Sequence, residues 1–268
     1  MSAKGLPIIL VSGEGSTDIG HTDNPSLNVC CWEEWTPGAM AYFIDKIFNA
    51  REINVFEWGL MWFVPKKILN AISKKIDPPV LGCSGCTSGK AGFRKNALAL
   101  LSLAYVISQN EKCDVLPILF RDADQRKWKE MRWQIAHCAD KSENIYVCPM
   151  IPNPKSEAWL LCALKHNYTS CEKLEDEISG NDKSPNSAKK QLEECLKDYD
   201  IHNLNELIEN GTIDPLRITM PSMTNFIEDL SKIIYGKEDL AKLPDSLQKK
   251  FIENTKNFYP LDNISTSE

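Results

Sequence analysis

Residues 7–12 read Pro-Ile-Ile-Leu-Val-Ser and run into Gly13-Glu14-Gly15-Ser16-Thr17-Asp18. Residues 114–120 read Asp-Val-Leu-Pro-Ile-Leu-Phe and run into Arg121-Asp122-Ala123-Asp124. Each is a short apolar run bounded by polar residues, the pattern of a buried strand, and each ends in carboxylates. If the two strands are parallel members of one sheet, their carboxyl ends share an edge, where ligands of open α/β sheets bind. Three or more carboxylates at such an edge repel one another unless a cation joins them. Mg²⁺ suits the place, since it is held through a few carboxylates while water and phosphate oxygens complete its shell. The pattern points to metal-dependent chemistry on phosphates.

Working outward, Thr36-Pro37 reads as a helix start, with threonine as cap and proline in the first turn. Met40, Phe43, Ile44, Ile47 and Phe48 give that helix one apolar face. Residues 53–58 read as a short strand and Val64 to Ile76 as a helix ended by Asp77-Pro78-Pro79. Residues 82–92, rich in Gly, Ser and Cys, read as a loop before a long helix from about Lys90 to Gln109. After strand 114–120, residues 125–139 read as a helix and 144–150 (Asn-Ile-Tyr-Val-Cys-Pro-Met) as a third strand. Ile151-Pro-Asn-Pro-Lys155 then turns the chain into a helix near Ser156 that includes Glu157. Strands alternating with helices up to about residue 166 imply an α/β fold, a mainly parallel sheet flanked by helices. Beyond 170 the pattern is helical and charged, with a turn at Ser179-Gly180-Asn181-Asp182 and helices at 186–198 and 222–235. The expected organisation is an α/β domain over 1–170 and a helical C-terminal extension over 171–268, packed on it and loosely held from about 255.

Bulk properties narrow the classes. Apolar residues at 43% supply a sizeable core, and 25% charged residues are ordinary for a soluble protein. No apolar stretch approaches the ~20 residues of a membrane span, and the first run is too short for a signal-peptide core of about 7–15 residues. A cytoplasmic protein is expected. The ten cysteines do not suggest a stapled secreted scaffold in a chain this long. Cys30, Cys31, Cys113, Cys148 and Cys162 sit in apolar surroundings, and most cysteines are expected reduced and buried. A net charge of −6 argues against a chain coated in basic residues, yet it leaves room for a local basic groove.

Each candidate site residue has an ordinary alternative. Glycines beside Glu14 let the backbone carry that carboxylate close to a ligand; equally, the turn is a tight connection with Asp18 as a helix cap. Asp122 and Asp124, one residue apart after a buried strand, can both reach one metal ion, while Asp124 also suits a cap for helix 125–139. Glu157 fits the first turn of a helix, where the dipole favours a carboxylate. Three acidic groups after three strands, at one edge, are harder to explain singly.

These residues resemble the Toprim family: topoisomerases, bacterial-type primases, and the overcoming-lysogenization-defect nucleases with their relatives in phage defence. The family carries a glutamate in a Glu-Gly-x-x-Asp-like turn after its first strand and an Asp-x-Asp pair after a later one. Glu14-Gly15-Ser16-Thr17-Asp18 and Asp122-Ala123-Asp124 match those positions. The string Ser156-Glu157-Ala158-Trp159-Leu160-Leu161, with Lys189-Lys190, is similar to compact Toprim-like domains encoded near defence genes. The likeness covers residues 7 to about 166, with a longer span between the two acidic motifs than in a minimal Toprim domain. It implies Mg²⁺- or Mn²⁺-dependent cleavage of a phosphodiester backbone. Glu14 would act as acid/base or metal ligand, Asp122 and Asp124 would hold metal, and Asp18 and Glu157 would complete the site. It also implies a nucleic-acid substrate, a role as an anti-phage effector, and restraint by a partner such as an ATPase. A homo-oligomer is compatible with it. Among basic residues near the motifs, Lys155, Arg121, Arg126 and Lys90 are the expected phosphate contacts, each adding salt-dependent affinity.

Other signals are weaker. Gly85 to Lys90 has three residues between its glycines instead of four, and Ala91 replaces the hydroxyl of a phosphate loop. Cys83 and Cys86 form a lone pair without a second at zinc-ribbon spacing; Cys30, Cys31 or His21 would have to complete a zinc site through space. Two rival readings stay open. One is a phosphatase or nucleotidyl-transfer enzyme using the Asp pair; the other is a non-catalytic module whose carboxylates order a loop or meet a partner.

Overall fold

The computed structural model describes residues 6–76, 91–124, 127–138, 147–164, 171–197, 204–236 and 245–259. Four strands, β1 (Ile8–Gly13), β4 (Met61–Val64), β5 (Val115–Phe120) and β6 (Cys148–Met150), form one parallel sheet in the order β4-β1-β5-β6. Strands β2 (Gly20–His21) and β3 (Thr36–Pro37) make a separate antiparallel pair. In register, Ile9 lies beside Met61 on one side and Leu116 on the other. The chain thus leaves central β1 for β4, then crosses back to build β5 and β6. The reversal puts a crevice between the carboxyl ends of β1 and β5.

Both faces of the sheet are covered, which is why its strands read as unbroken apolar runs. Ile9, Val11, Leu116, Ile118 and Phe120 face one core, with α1 (Ala39–Asn49) and α5 (Ser156–Leu164). Ile8, Leu10, Val115 and Leu119 face the other, with α2 (Lys66–Ser73), α3 (Ala91–Glu111) and α4 (Trp128–Ala136). Helix α3 is buried from Ala97 to Ile107 on every side, because β5, α2, α4 and α10 (Asp245–Thr255) all pack on it. Of the remaining helices, α6 (Leu174–Glu177) and α7 (Ala188–Leu196) pack against α5, α8 (Leu204–Glu209) against α1, and α9 (Pro221–Gly236) against β6. Fully buried Asp229 on α9 pairs with Arg132 on α4. No described helix is long and apolar enough to cross a membrane.

Several expectations need correction. Thr36-Pro37 is a strand, and α1 starts after Gly38 without a side-chain cap. Its first N–H groups are taken by the turn after β1: Gly38, Ala39 and Met40 donate to the carbonyls of Ile19, Thr17 and Asp18. That close docking needs glycine, since a Cβ on Gly38 would lie 2.4 Å from the Asp18 carbonyl. Residues 53–58 are not a strand. Asn54 and Glu57 close a turn there, and the strand is Met61–Val64, whose last residue reads in sequence as the first of the helix that follows. Asp124 does not cap α4, whose first helical turn follows Lys127. Cys162 is joined to Cys171 in a disulfide, Cys31 is exposed, and Cys113 is half-buried; Cys30 and Cys148 are free and buried as expected. The residues 144–146, Lys90, Arg126, Cys83, Cys86 and the tail beyond 259 lie outside the described residues. Phe258 and Tyr259 still pack on the α3 core, and Tyr259 donates to Glu111 at 3.0 Å.

Candidate functional site

Each strand end supplies one part of an acidic cluster at the crevice. After β1 the chain turns through Gly15, at φ +84°, and the Ile19 N–H returns to the Gly15 carbonyl at 3.1 Å. A Cβ on Gly15 would lie 2.1 Å from Asp18 Oδ2, so only glycine lets the Asp18 carboxylate fold back over the turn. After β5 the ladder with the next strand continues beyond β6. Arg121, Ala123 and Asp124 donate their N–H groups to the carbonyls of Met150, Pro152 and Pro154, at 3.0, 3.1 and 2.8 Å. This pins Asp122 at the sheet edge, while buried Ala123 anchors the segment to the core. Asp124 ends it in the left-handed region, at φ +54°, a conformation that aspartate tolerates better than most side chains.

The start of α5 joins the two motifs. The Ser156 N–H, an unpaired donor of the first helical turn, gives its hydrogen bond to Asp122 Oδ1 at 2.9 Å. The Ser156 hydroxyl donates to Asp18 Oδ1 at 2.5 Å. Ser156 therefore holds carboxylates from β1 and β5 together at the end of β6. Beside it, Glu157 keeps a buried Oε2 without a hydrogen-bond partner among the described residues.

Electrostatics mark the cluster as short of positive charge. Burial pushes the Asp122 carboxyl up to about 8; the charge of Asp18 adds to this, the Ser156 N–H opposes it, and Glu157 and Asp124 raise it further. Burial also raises Asp18, against the Ser156 hydroxyl and with help from Glu157 and Glu14. Two such carboxyls share protons and titrate as a pair. A cation between them would take the place of the proton.

Glu14 and Asp124 sit at the margins, each against cations. Glu14 lies 3.5 Å from Lys66 Nζ and 3.4 Å from Arg121 Nε. Asp124 lies 4.0 Å from Lys155 Nζ, which also donates to Asp182 at 2.9 Å. Burial alone would lower the Lys155 ammonium, but the hydrogen bond and charge of Asp182, with Glu157 and Asp124, raise it. Arg121 and Lys155 thus stand at the edge as expected, both in ion pairs, with the Arg121 guanidinium 4.4 Å above the Phe93 ring. Sequence reading assigns no role to Ser156, Lys66 or Asp182. The first is visible as the residue before Glu157; Lys66 lies in the stretch from Val64 to Ile76, which reads only as a helix; Asp182 reaches the site only through tertiary packing.

Among the described residues no group of three or more His, Cys, Asp or Glu side chains stands close enough to hold a metal ion by itself. The donors fit the less demanding case: Asp18 and Asp122 drawn together, each resisting ionisation, with the unpartnered Glu157 oxygen beside them. Mg²⁺ needs only one or two carboxylates when water and phosphate fill its other positions. Compared with known proteins, the chain matches no family model, no curated protein and no solved structure.

Proposed function

We propose that this chain is a Toprim-like nuclease that hydrolyses phosphodiester bonds with Mg²⁺ or Mn²⁺, acting as an effector in defence against phage. The observation that carries the chemistry is the Ser156 bridge, which brings Asp18 and Asp122 together at the switch point of a parallel sheet. The defence role, and restraint by a partner such as an ATPase, rest on the motif resemblance alone.

In this reading Asp18 and Asp122 hold the ion, with the Glu157 carboxylate beside them and water and phosphate filling the other positions. Bound there, the ion would neutralise charge on a scissile phosphate and lower the pKa of an attacking water. The chain's own residues do the rest. Ser156 sets the spacing of the two aspartates. Lys155 and Arg121 offer positive charge to the strand on either side. Glu14, at the crevice mouth, is the side chain placed to exchange a proton with a reacting oxygen.

The test is cleavage of a panel of DNA and RNA, single-stranded and duplex, with Mg²⁺, Mn²⁺ or chelator. Wild type should cleave only with metal, and Glu14→Ala and Asp122→Ala should lose at least about a hundredfold, the scale of an acid–base group. Equal cleavage by all three proteins removes the site. Tight binding of a strand without cleavage under any metal would favour a non-catalytic module.

A further inference from the structure

A loop of the helical part of the chain, residues 179–187 between α6 and α7, rests on the margin of the acidic cluster. Its neck is closed by the Ser179 N–H on the Asn186 carbonyl, at 2.8 Å, and the Ala188 N–H on the Ser179 carbonyl, at 3.1 Å. Within it the Asn181 N–H donates to Ser179 Oγ and the Lys183 N–H to Asn181 Oδ1, at 3.2 and 3.1 Å. The backbone is thus held on both sides of Asp182. Its contact with the sheet edge is close: a Cβ on Gly180 would lie 3.0 Å from the Pro154 side chain and 3.3 Å from the Asp124 carbonyl oxygen. Asp182 is thereby set against Lys155 and accepts a hydrogen bond from its Nζ at 2.9 Å. On the inner side the same ammonium stands 4.0 Å from Asp124 Oδ1, too far for a hydrogen bond. The Lys155 side chain is mostly covered while that of Asp182 is half-exposed, so the bond turns the charge outward.

We propose that Asp182 is a positioning residue for the divalent ion: it draws the Lys155 ammonium to the rim and so leaves Asp18, Asp122 and Glu157 to the metal. The inference rests on the nuclease reading of that cluster and deepens it. Lys155 directly precedes Ser156, which bridges Asp18 and Asp122. Its ammonium feels the charges of Glu157 and Asp124 as well as that of Asp182, and Asp18 feels the ammonium in turn. Among carboxylates short of positive charge, an ammonium on a flexible stem is a ready substitute for a metal ion. One exposed ion pair is a small force, but here it need only bias where a single ammonium goes. Outward it meets Asp182; inward it meets Glu157, whose buried Oε2 has no hydrogen-bond partner among the described residues. Without Asp182 the inward position gains, and a metal ion must displace the ammonium before it binds. Held at the rim, Lys155 also stays where the phosphate of a strand can meet it.

The experiment is thermal unfolding of the full chain titrated with MgCl₂, and again with MnCl₂, at pH 8 and a fixed ionic strength of about 0.15 M, which screens charges beyond ~8 Å. Each titration is referred to that protein's own metal-free Tm, so that a change in stability alone does not count. Asp182→Asn should need about two- to fivefold more metal for the same rise in Tm, the scale of one exposed ion pair. Lys155→Gln should need no more metal than wild type, and Asp182→Asn/Lys155→Gln should match Lys155→Gln. Asp182→Ala carries the same prediction should the asparagine variant fail to fold. An unchanged metal requirement in the Asp182 variants overturns the proposal. So does a penalty that persists in the Lys155→Gln background, since Asp182 would then act through its own charge. A wild type that neither ion stabilises sinks the nuclease reading and the positioning role with it; a stabilised wild type without the Asp182 effect sinks the positioning role alone.

Discussion

Replacing Asp122 by asparagine keeps the side chain's shape and an acceptor for the Ser156 N–H, 2.9 Å away, while removing a charge that burial and Asp18 oppose. The folded carboxyl stands at about 8 against an ordinary 3.8. Below pH ~4 it is protonated in folded and unfolded chains alike, and the substitution should change little. As pH rises toward 8 the unfolded chain gives up the proton while the folded protein keeps it, so wild-type stability falls across that window. At ~1.4 kcal/mol for each pKa unit, the ceiling is about 6 kcal/mol. Solvent at the half-buried edge and joint titration with Asp18 reduce this to roughly 2–3 kcal/mol. In chelator at pH 8, Asp122→Asn should therefore raise Tm by about 5–10 °C, with the gain shrinking to nothing near pH 4. Mg²⁺ should raise the wild-type Tm at pH 8 and leave the variant unmoved. Thermal unfolding followed by circular dichroism, from pH 4 to 8.5 with and without Mg²⁺, reads all of this. A variant less stable than wild type at pH 8 in chelator would refute the reasoning, since Asp122 would then be a satisfied structural carboxylate.

Ser156→Ala removes the hydroxyl that holds Asp18 down, so the pH midpoint of Mg²⁺-dependent stabilisation should move to higher pH; an unchanged midpoint would count against the bridge. Arg132→Met leaves Asp229 fully buried without its ion pair and should cost about 3–5 kcal/mol in urea unfolding. The double variant Arg132→Met/Asp229→Leu should recover most of that loss, because no charge then remains to be solvated. Gly13→Ala must push β1 and β5 apart, with its Cβ 2.6 Å from the Phe120 carbonyl, and should cost about 1–3 kcal/mol by the same assay.

The parts legible in sequence were those with a local cause. Strands β1 and β5 announce themselves as apolar runs because both of their faces are covered. The apolar stripe of α1, at Met40, Phe43, Ile44, Ile47 and Phe48, is buried as its spacing indicates. The errors fall where a distant segment supplies what a local rule expects from a neighbour. Thr36 looks like a cap, but the turn at Thr17–Ile19 caps α1 with its carbonyls. Residues 53–58 look like the strand, but pairing with β1 puts it at Met61–Val64.

Alone, the sequence determined that carboxylates follow apolar runs at Glu14–Asp18, Asp122–Asp124 and Glu157, because strand burial and turn chemistry are written in adjacent residues. Only the tertiary structure decided which of them meet. Parallel pairing of β1 with β5, and of β5 with β6, brings Asp18, Asp122 and Ser156 within hydrogen-bonding distance across separations of 34 and 138 residues. The same packing sets Glu14 against Lys66 and Arg121. Such long-range partners depend on strand order and crossover, and no short stretch of chain encodes either.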